Sequence, residues 1–251
     1  IAFESPSYNC GWMKDLAEVA DLLMLNGANL WEDARFRSLY SAPIEALCCG
    51  KFMTPLGDSN HMFSGGLGVS APYLQRAYEH MKDPRQAQSM TQAGERFDHD
   101  LFREPVEEQA SKQAAEYGRE VGVSSGLLPG LGNLTLQAGT AGHRTALSLY
   151  YGYYQGHVHF DSLNVDFYAE GNPLTPDLGY PETADTYDPR RFGFLAHTVV
   201  HNTCMVNASR QELGRGQLVA FHPGTFAQMA EVTNVAAYPG KVSDYRRTVF
   251  L

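Results

Sequence analysis

Residues 146–168 read ALSLYYGYYQGHVHFDSLNVDFY, and this stretch decides which class of fold the chain can have. Apolar and aromatic residues alternate with polar ones in two runs, 146–154 and 157–168, which a glycine-containing break separates. Such alternation predicts β-strands with one buried face. The same pattern predicts four further strands, at 131–137, 198–206, 216–221 and 227–235. From about residue 127 onward, the sequence therefore predicts an antiparallel β domain.

The residues before this region predict helices instead. Apolar residues recur at helical spacing in five stretches, at 12–25, at 31–49 with an interruption near Pro43, from Ser70 onward, and more weakly at 85–95 and 105–119. Residues 54–60 and the glycines that follow them predict a loop. Helices followed by strands indicate an α+β protein with two domains. We place a helical domain at 1–125 and a β domain at 126–251.

Composition excludes several classes of protein. Hydrophobic residues make up 43% of the 251 residues and charged residues 19%, which is unlike a disordered chain. No apolar run approaches the roughly 18 to 20 residues that a membrane-spanning helix needs, so no membrane span is expected. The net charge of −9 argues against a general nucleic-acid binder. The four cysteines are too sparse for a disulfide framework and predict small buried hydrophobic residues.

Two histidines, His157 and His159, stand two residues apart in the second strand of the opening stretch. Because side chains alternate across a strand, both are expected to point to the same face. Asp177 and His201 follow later in the same half of the chain. Two histidines and one carboxylate are a common zinc ligand set, so these residues predict a metal site. His197, four residues before His201, is a candidate for a supporting role.

Three segments of the second half carry a resemblance to a known family: GHVHFDSL at 156–163, GNPL at 171–174 leading to DLG at 177–179, and HNT at 201–203. They resemble the heparinase II/III-like polysaccharide lyases, which include heparin and heparan sulfate lyases and related alginate lyases. Near the N-terminus, ESPSY at 4–8 resembles the family's E-G-x-x-Y segment. Ser5 stands where many relatives have glycine, a mild departure from the pattern.

The resemblance implies a fold and a reaction. The fold would be the C-terminal part of an incomplete (α/α) toroid, followed by an antiparallel β-sandwich. The reaction would be β-elimination at a 4-linked uronic acid, which produces an unsaturated sugar. The substrate would be an acidic polysaccharide or oligosaccharide, and the protein would be periplasmic or secreted.

The resemblance also implies roles for individual residues. Tyr8 matches the family's catalytic tyrosine, and His157 matches the catalytic histidine. His159, Asp177 and His201 match the zinc ligands, which in this family hold a loop of the sandwich near the cleft. Which of Tyr8 and His157 acts as base and which as acid stays open.

One role of the family's reaction has no candidate in this chain. Relatives neutralise the substrate carboxylate with an Asn or His on a helix well upstream of the tyrosine, whereas only seven residues precede Tyr8. The chain begins on Ile1, and its end at 245–251 reads as a strand in progress. We therefore expect a piece of a longer lyase that is weak or inactive on its own.

Three other functions compete with the lyase. A zinc hydrolase is one, because H-x-H-x-D resembles the start of the metallo-β-lactamase signature, although Ser162 stands in place of that motif's next histidine. A glycosidase that uses the carboxylates of Asp161 and Asp177 is a second. A non-catalytic glycan-binding protein on the same scaffold is the third.

Several polar or aromatic residues have a plain structural explanation beside a functional one. Asp58 could line the cleft but suits the cap of a turn. Arg190, Arg191 and Arg215 could bind uronate or sulfate, or could be solvated surface residues. The aromatic run at 150–154 could be a sugar platform, although alternate residues of a strand must face the core.

Overall fold

The computed structural model describes residues 4–59, 69, 71–94, 97, 105–153, 156–179 and 187–251. The chain divides into two compact units. The helical unit comprises Tyr8–Met53 and Leu67–Val123, and the β unit comprises Ile1–Ser7, Thr54–Gly66 and Ser124–Leu251. Helices in one unit and antiparallel sheets in the other confirm the α+β class, while the toroid stays a prediction.

The described part of the helical unit contains six α-helices, which we number in chain order: α1 at Pro6–Leu25, α2 at Ala34–Ser38, α3 at Ala42–Glu45, α4 at Ala71–Met81, α5 at Pro84–Ala93 and α6 at Glu107–Tyr117. A two-stranded hairpin, β1 at Leu47–Cys48 and β2 at Phe52–Met53, lies between α3 and α4. The longer helices agree with the predicted stretches to within a few residues, apart from the start of α1. The predicted helix at 31–49 is instead divided into a 3₁₀ turn and the short helices α2 and α3, and it ends in the hairpin. No helix in the described ranges has the length and apolar character needed to cross a bilayer.

Helix α1 buries a face of small residues. Met13, Ala17 and Ala20 are buried, whereas Trp12 and Val19, two further apolar residues of the 12–25 stretch, are about half exposed. Three- and four-residue spacing places Met13, Ala17 and Ala20 on one side of a helix. The helical prediction is confirmed, although not every apolar residue of the stretch is buried.

Asp21 of α1 anchors a polar network. Its carboxylate accepts hydrogen bonds from Trp31 Nε1 and Arg76 Nη1, each at 3.1 Å, and lies 2.7 Å from His80 Nε2. The Trp31 and His80 rings stack at 4.5 Å between centroids. A single carboxylate thus connects α1 with α4 inside the helical unit.

The described part of the β unit contains two antiparallel sheets. One has the order β3 (Gly126–Leu128), β4 (Asn133–Thr140), β5 (His143–Tyr150), β6 (Val165–Ala169) and β7 (Asn172–Pro173). The other has β9 (Gln228–Thr233) between β8 (Gln217–Pro223) and β10 (Arg246–Phe250). Leu136 of β4, Leu149 of β5 and Val232 of β9 belong to one buried cluster, so the two sheets share a core.

One predicted strand is wrong and another is only partly right, and both concern the site. The strand at 157–168 is regular only from Val165 onward, because His157 and Leu163 have left-handed φ values of 56° and 62°. The segment at 198–206 begins with a 3₁₀ turn at Thr198–Val200 and does not join either sheet. Strand periodicity therefore cannot place the histidines, and specific hydrogen bonds do so instead.

The prediction that the cysteines are buried is only partly confirmed. Cys10 and Cys48 are buried, Cys49 is partly exposed and Cys204 is exposed. Burial raises the pKa of the Cys10 thiol to about 12, which makes it chemically inert.

Candidate metal centre and the adjoining histidine

Three predicted ligands, His159, Asp177 and His201, converge in the β unit. Their ligand atoms all lie within 4.8 Å of one another, and the side chains are fully buried. His159 Nδ1 lies 3.2 Å from His201 Nε2, and His201 Nε2 lies 3.0 Å from Asp177 Oδ2. Residues that are well separated along the chain thus meet at one point, as the sequence predicted.

Hydrogen bonds between irregular segments bring His159 and His201 together. Phe160 N donates to the Ala196 carbonyl at 2.9 Å, and Thr198 Oγ1 donates to the Phe160 carbonyl at 2.6 Å. Asn202 N donates to Asn164 Oδ1 at 2.8 Å. These contacts fix the segment around His201 beside the segment that carries His159.

Asp177 is placed by the hairpin of β6 and β7. The hairpin turns at Glu170 and Gly171, both with positive φ, and the chain returns past β6. Asp177 N then donates to Asp166 Oδ1 at 2.8 Å, and Gly179 N donates to Asp177 Oδ1 at 2.7 Å. These two backbone hydrogen bonds fix the position of the Asp177 carboxylate.

The second ring nitrogen of each histidine ligand is also held. His201 Nδ1 donates to the His197 carbonyl at 2.9 Å, and the His197 ring accepts a hydrogen bond from Val199 N at 3.2 Å at the start of the 3₁₀ turn. His159 Nε2 lies 3.1 Å from Asp58 Oδ1, and a carboxylate can only accept, so this nitrogen carries the proton. Both arrangements leave the facing nitrogens, His159 Nδ1 and His201 Nε2, as the ligand atoms. Metal-binding histidines are usually oriented in this way.

The electrostatics of the cluster reflect two opposing effects. Burial lowers the pKa of His159, but the carboxylates of Asp177 and Asp58 outweigh it and raise the pKa to about 10. Asp177 raises the pKa of His201 in the same way, against burial. Burial raises the pKa of the Asp177 carboxyl, yet His201 and His159 hold it well below its usual range. The cluster therefore attracts positive charge, whether protons or a metal ion.

The residues fit a zinc ion. Tetrahedral zinc with ligand bonds of roughly 2.0–2.2 Å places its ligand atoms about 3.3–3.6 Å apart. The separations here are 3.0 Å between His201 and Asp177, 3.2 Å between the two histidines and 3.7 Å between His159 and Asp177. Asp177 Oδ2 is buried and, although close to His201 Nε2, has no hydrogen-bond partner among the described residues. A cation between these atoms would satisfy the orphaned oxygen and both facing nitrogens.

Asp161 is a further buried carboxylate beside the cluster. Both of its oxygens are buried and have no hydrogen-bond partner in the part of the chain that the structure describes. Burial raises the pKa of its carboxyl, and His201 opposes this effect. Such a group is costly unless a positive charge lies nearby.

His157, the predicted catalytic histidine, does not join the metal group. Its Nδ1 lies 2.6 Å from Glu4 Oε2, and both side chains are partly exposed. Its backbone carbonyl accepts a hydrogen bond from Asp58 N at 2.9 Å. Asp58 therefore contacts the backbone of one histidine and the ring of the other.

Tyr8, the predicted catalytic tyrosine, lies in the first turn of α1 in the helical unit and is partly buried. His157 belongs to the β unit. The pairing of these two residues in one reaction stays a prediction.

The other polar candidates have intramolecular partners. Arg190 forms a bidentate ion pair with Asp188, Arg191 pairs with Asp58, and Arg215 donates to the Pro129 carbonyl. Tyr150 and Tyr151 of the aromatic run are buried, and Tyr154 lies outside the described residues. These arginines and tyrosines serve the structure of the β unit.

Two partners of the histidines, Glu4 and Asp58, were missed by sequence reasoning. Glu4 was noted only as part of a resemblance, and Asp58 was expected to cap a turn. Both contact residues more than a hundred positions away. The one available signal was that each lies in a short segment with turn-forming residues and no periodicity.

Comparison with known proteins identifies the β unit. Residues 125–241 match the family profile described as heparinase II/III-like, C-terminal. An alginate lyase of Stenotrophomonas maltophilia (strain K279a) is 35% identical over 100 residues, which cover 34% of this chain and 14% of that protein.

Solved structures extend the likeness of fold to nearly the whole chain. The heparan sulfate lyase HepC from Pedobacter heparinus matches with a TM-score of 0.69 at 15% identity, over 98% of this chain. A heparinase III matches with a TM-score of 0.63 at 14% identity, also over 98%. The chain spans about a third of the length of these structures, 35% and 37% respectively. The resemblance to the heparinase II/III-like family is thus confirmed, and residues 125–241 are the part of the chain that matches its C-terminal domain profile.

Proposed function

We propose that this chain forms part of a polysaccharide lyase that cleaves a uronic-acid-containing glycan by β-elimination. One observation carries the proposal: in a heparinase II/III-like domain, His157 is held by Glu4 immediately beside the buried group of His159, Asp177 and His201. The alginate and heparan sulfate lyases that the chain resembles act on acidic glycans, according to their names.

The reaction needs a base and an acid, and we assign these roles to Tyr8 and His157. The base removes the proton on C5 of the uronate, and the electron pair of that bond forms the C4–C5 double bond. The C4–O4 bond breaks at the same time, and the acid protonates the departing O4. Positioned acids and bases of this kind typically contribute about 10²- to 10⁴-fold to a rate.

A zinc ion held by His159, Asp177 and His201 would supply a positive charge that joins three segments of the β unit. We propose a structural role for this metal, because all three side chains are fully buried. A hydrolytic zinc site keeps one coordination position open to water, so the burial argues against a zinc hydrolase. Asp161 and Asp177 are both buried, which equally disfavours a two-carboxylate glycosidase.

The substrate would be an acidic polysaccharide or oligosaccharide, and the protein would act in the periplasm or outside the cell. A non-catalytic glycan-binding role would retain substrate binding without product formation.

The test is a substrate panel on the full-length gene product, with alginate, heparin, heparan sulfate, hyaluronan and chondroitin. We expect one polymer to yield products with the ultraviolet absorbance of an unsaturated uronate. Tyr8→Phe and His157→Ala should each lower the rate at least about 100-fold. Glycan binding without product would support the binding protein, and hydrolysis that survives both substitutions would refute the lyase.

A further inference from the structure

The segment at the start of the chain contributes a carboxylate to His157, and we propose that Glu4 is a positioning residue for this histidine. The Nδ1–Oε2 distance of 2.6 Å is that of a short, charge-assisted hydrogen bond. Because a carboxylate can only accept, Nδ1 carries the proton of this hydrogen bond. The inference rests on the proposed function in so far as it concerns catalysis.

The backbone next to His157 leaves space for this carboxylate. A Cβ atom at Gly156 would lie 2.7 Å from both Glu4 Oε1 and Oε2, closer than real Cβ atoms approach other atoms. The absence of a side chain at position 156 thus lets the Glu4 carboxylate pack directly against the backbone beside His157.

Short-range bonds hold the partners in position. Ser5 Oγ donates to the Asp58 carbonyl at 3.1 Å, and Ser7 N donates to Ser59 Oγ at 3.4 Å, so the initial segment lies along the 58–59 loop. Asp58 N in turn donates to the His157 carbonyl at 2.9 Å. Three separate pieces of the β unit thus fix the distance between Glu4 and His157.

His157 itself adopts a conformation that must be maintained by its surroundings. Its φ of 56° is left-handed, a conformation that residues with a Cβ rarely adopt. Such strain persists only where neighbouring contacts determine the backbone, and it concentrates at functional sites. The hydrogen bond from Asp58 N to the His157 carbonyl is one such contact.

The expected chemical effect follows from the hydrogen bond. The Glu4 carboxylate fixes the orientation of the His157 ring and selects the tautomer with the proton on Nδ1. The same logic explains why the orienting carboxylate of a catalytic triad matters without touching the substrate.

The experiment compares Glu4→Gln and Glu4→Ala in the full-length gene product. We expect kcat to fall about 10-fold for Gln and about 100-fold for Ala, with KM changed less than about 2-fold. Added formate should restore part of the activity of Glu4→Ala, because it can replace the missing carboxylate. Nitrogen-15 NMR of labelled histidine, assigned with His157→Gln, should report the Nδ1–H tautomer in the natural protein and its loss in Glu4→Ala.

A matched control exists in the same unit. Glu170 Oε2 lies 2.9 Å from His143 Nδ1 in an exposed pair of the same kind, so Glu170→Gln removes an equivalent contact away from the site. It should leave kcat and the His157 tautomer unchanged. If Glu4→Ala behaves like Glu170→Gln in both measurements, the inference is wrong. If the natural protein forms no unsaturated product, the proposed function fails, and the tautomer measurement alone decides the role of Glu4.

Discussion

His157 and His159 are only two residues apart, yet their rings have different partners. His157 is left-handed, and the strand that would align the two rings begins only at Val165. The His157 ring meets Glu4, whereas the His159 ring meets Asp58 and the other ligands. The local backbone thus separates a candidate proton-transfer group from a candidate metal ligand.

At this scale, removing one ligand tests the metal centre. Loss of a residue that only orients a ligand typically weakens metal binding roughly 10- to 100-fold. Because His159 would be a ligand itself, we expect His159→Gln to weaken zinc binding by more than this. His197→Gln is the control, because its carbonyl, which holds His201, is retained. Elemental analysis and competition with a chelator measure the difference. Equal zinc contents in the two variants would remove the metal assignment.

The sequence predicted the residues of the metal group, but it did not predict the residues that hold their side chains in position. His159, Asp177 and His201 are residue types that metals require, and a family motif marks each position. Asp58 is an ordinary turn residue until its side chain reaches a histidine 101 positions away. A contact that depends on how distant irregular segments meet leaves no periodicity in the sequence.

Among the secondary-structure elements, the helices were the most predictable because periodic apolar residues need only local packing. Helix α4 buries Leu74, Ala77 and Tyr78 at helical spacing and lies where the pattern indicated. The segments at 157–164 and 198–206 also contain apolar and β-branched residues, but individual side-chain hydrogen bonds hold them instead of a ladder. The irregularity at the site is therefore the part of the fold that the strand pattern could not predict.

Just after β5, the backbone at Gly152 passes close to the backbone at Leu131. A Cβ at Gly152 would overlap the Leu131 carbonyl oxygen, whereas a Cβ at Gly193 would meet no atom within 4 Å. We expect Gly152→Ala to lower the free energy of unfolding by about 2 kcal/mol or more, as overpacking does. Gly193→Ala should change it by less than about 1 kcal/mol. Urea unfolding of both variants gives the comparison, and equal stabilities would contradict the crossing.

For the β unit as a whole, the metal group and its partner Asp58 join separate segments of the chain. Asp58, His159, Asp177 and His201 come from four segments, and all four side chains are buried. A metal bound only in the folded state adds its binding free energy to folding, about 2.7 kcal/mol at 100 times its Kd. When no metal is bound, protons on His159 and His201 supply the positive charge instead.

This exchange of protons for metal gives the molecule a pH dependence of definite sign. In the metal-free protein the pKa of His159 is raised from 6.5 to about 10, so the stabilisation is complete below 6.5 and is lost as the pH rises through 10. Over that interval the folded state binds more protons than the unfolded state, and the free energy of unfolding falls by up to about 1.4 kcal/mol per pH unit. The raised pKa of His201 acts in the same direction. With zinc bound, the facing nitrogens carry no proton, so this loss is absent.

Urea unfolding between about pH 7 and 9, with zinc or with a chelator, should show zinc stabilising the protein more as the pH rises. His159→Gln should reduce the slope of the metal-free protein, and a metal-free stability that stays constant or increases across this range would contradict the protonated cluster.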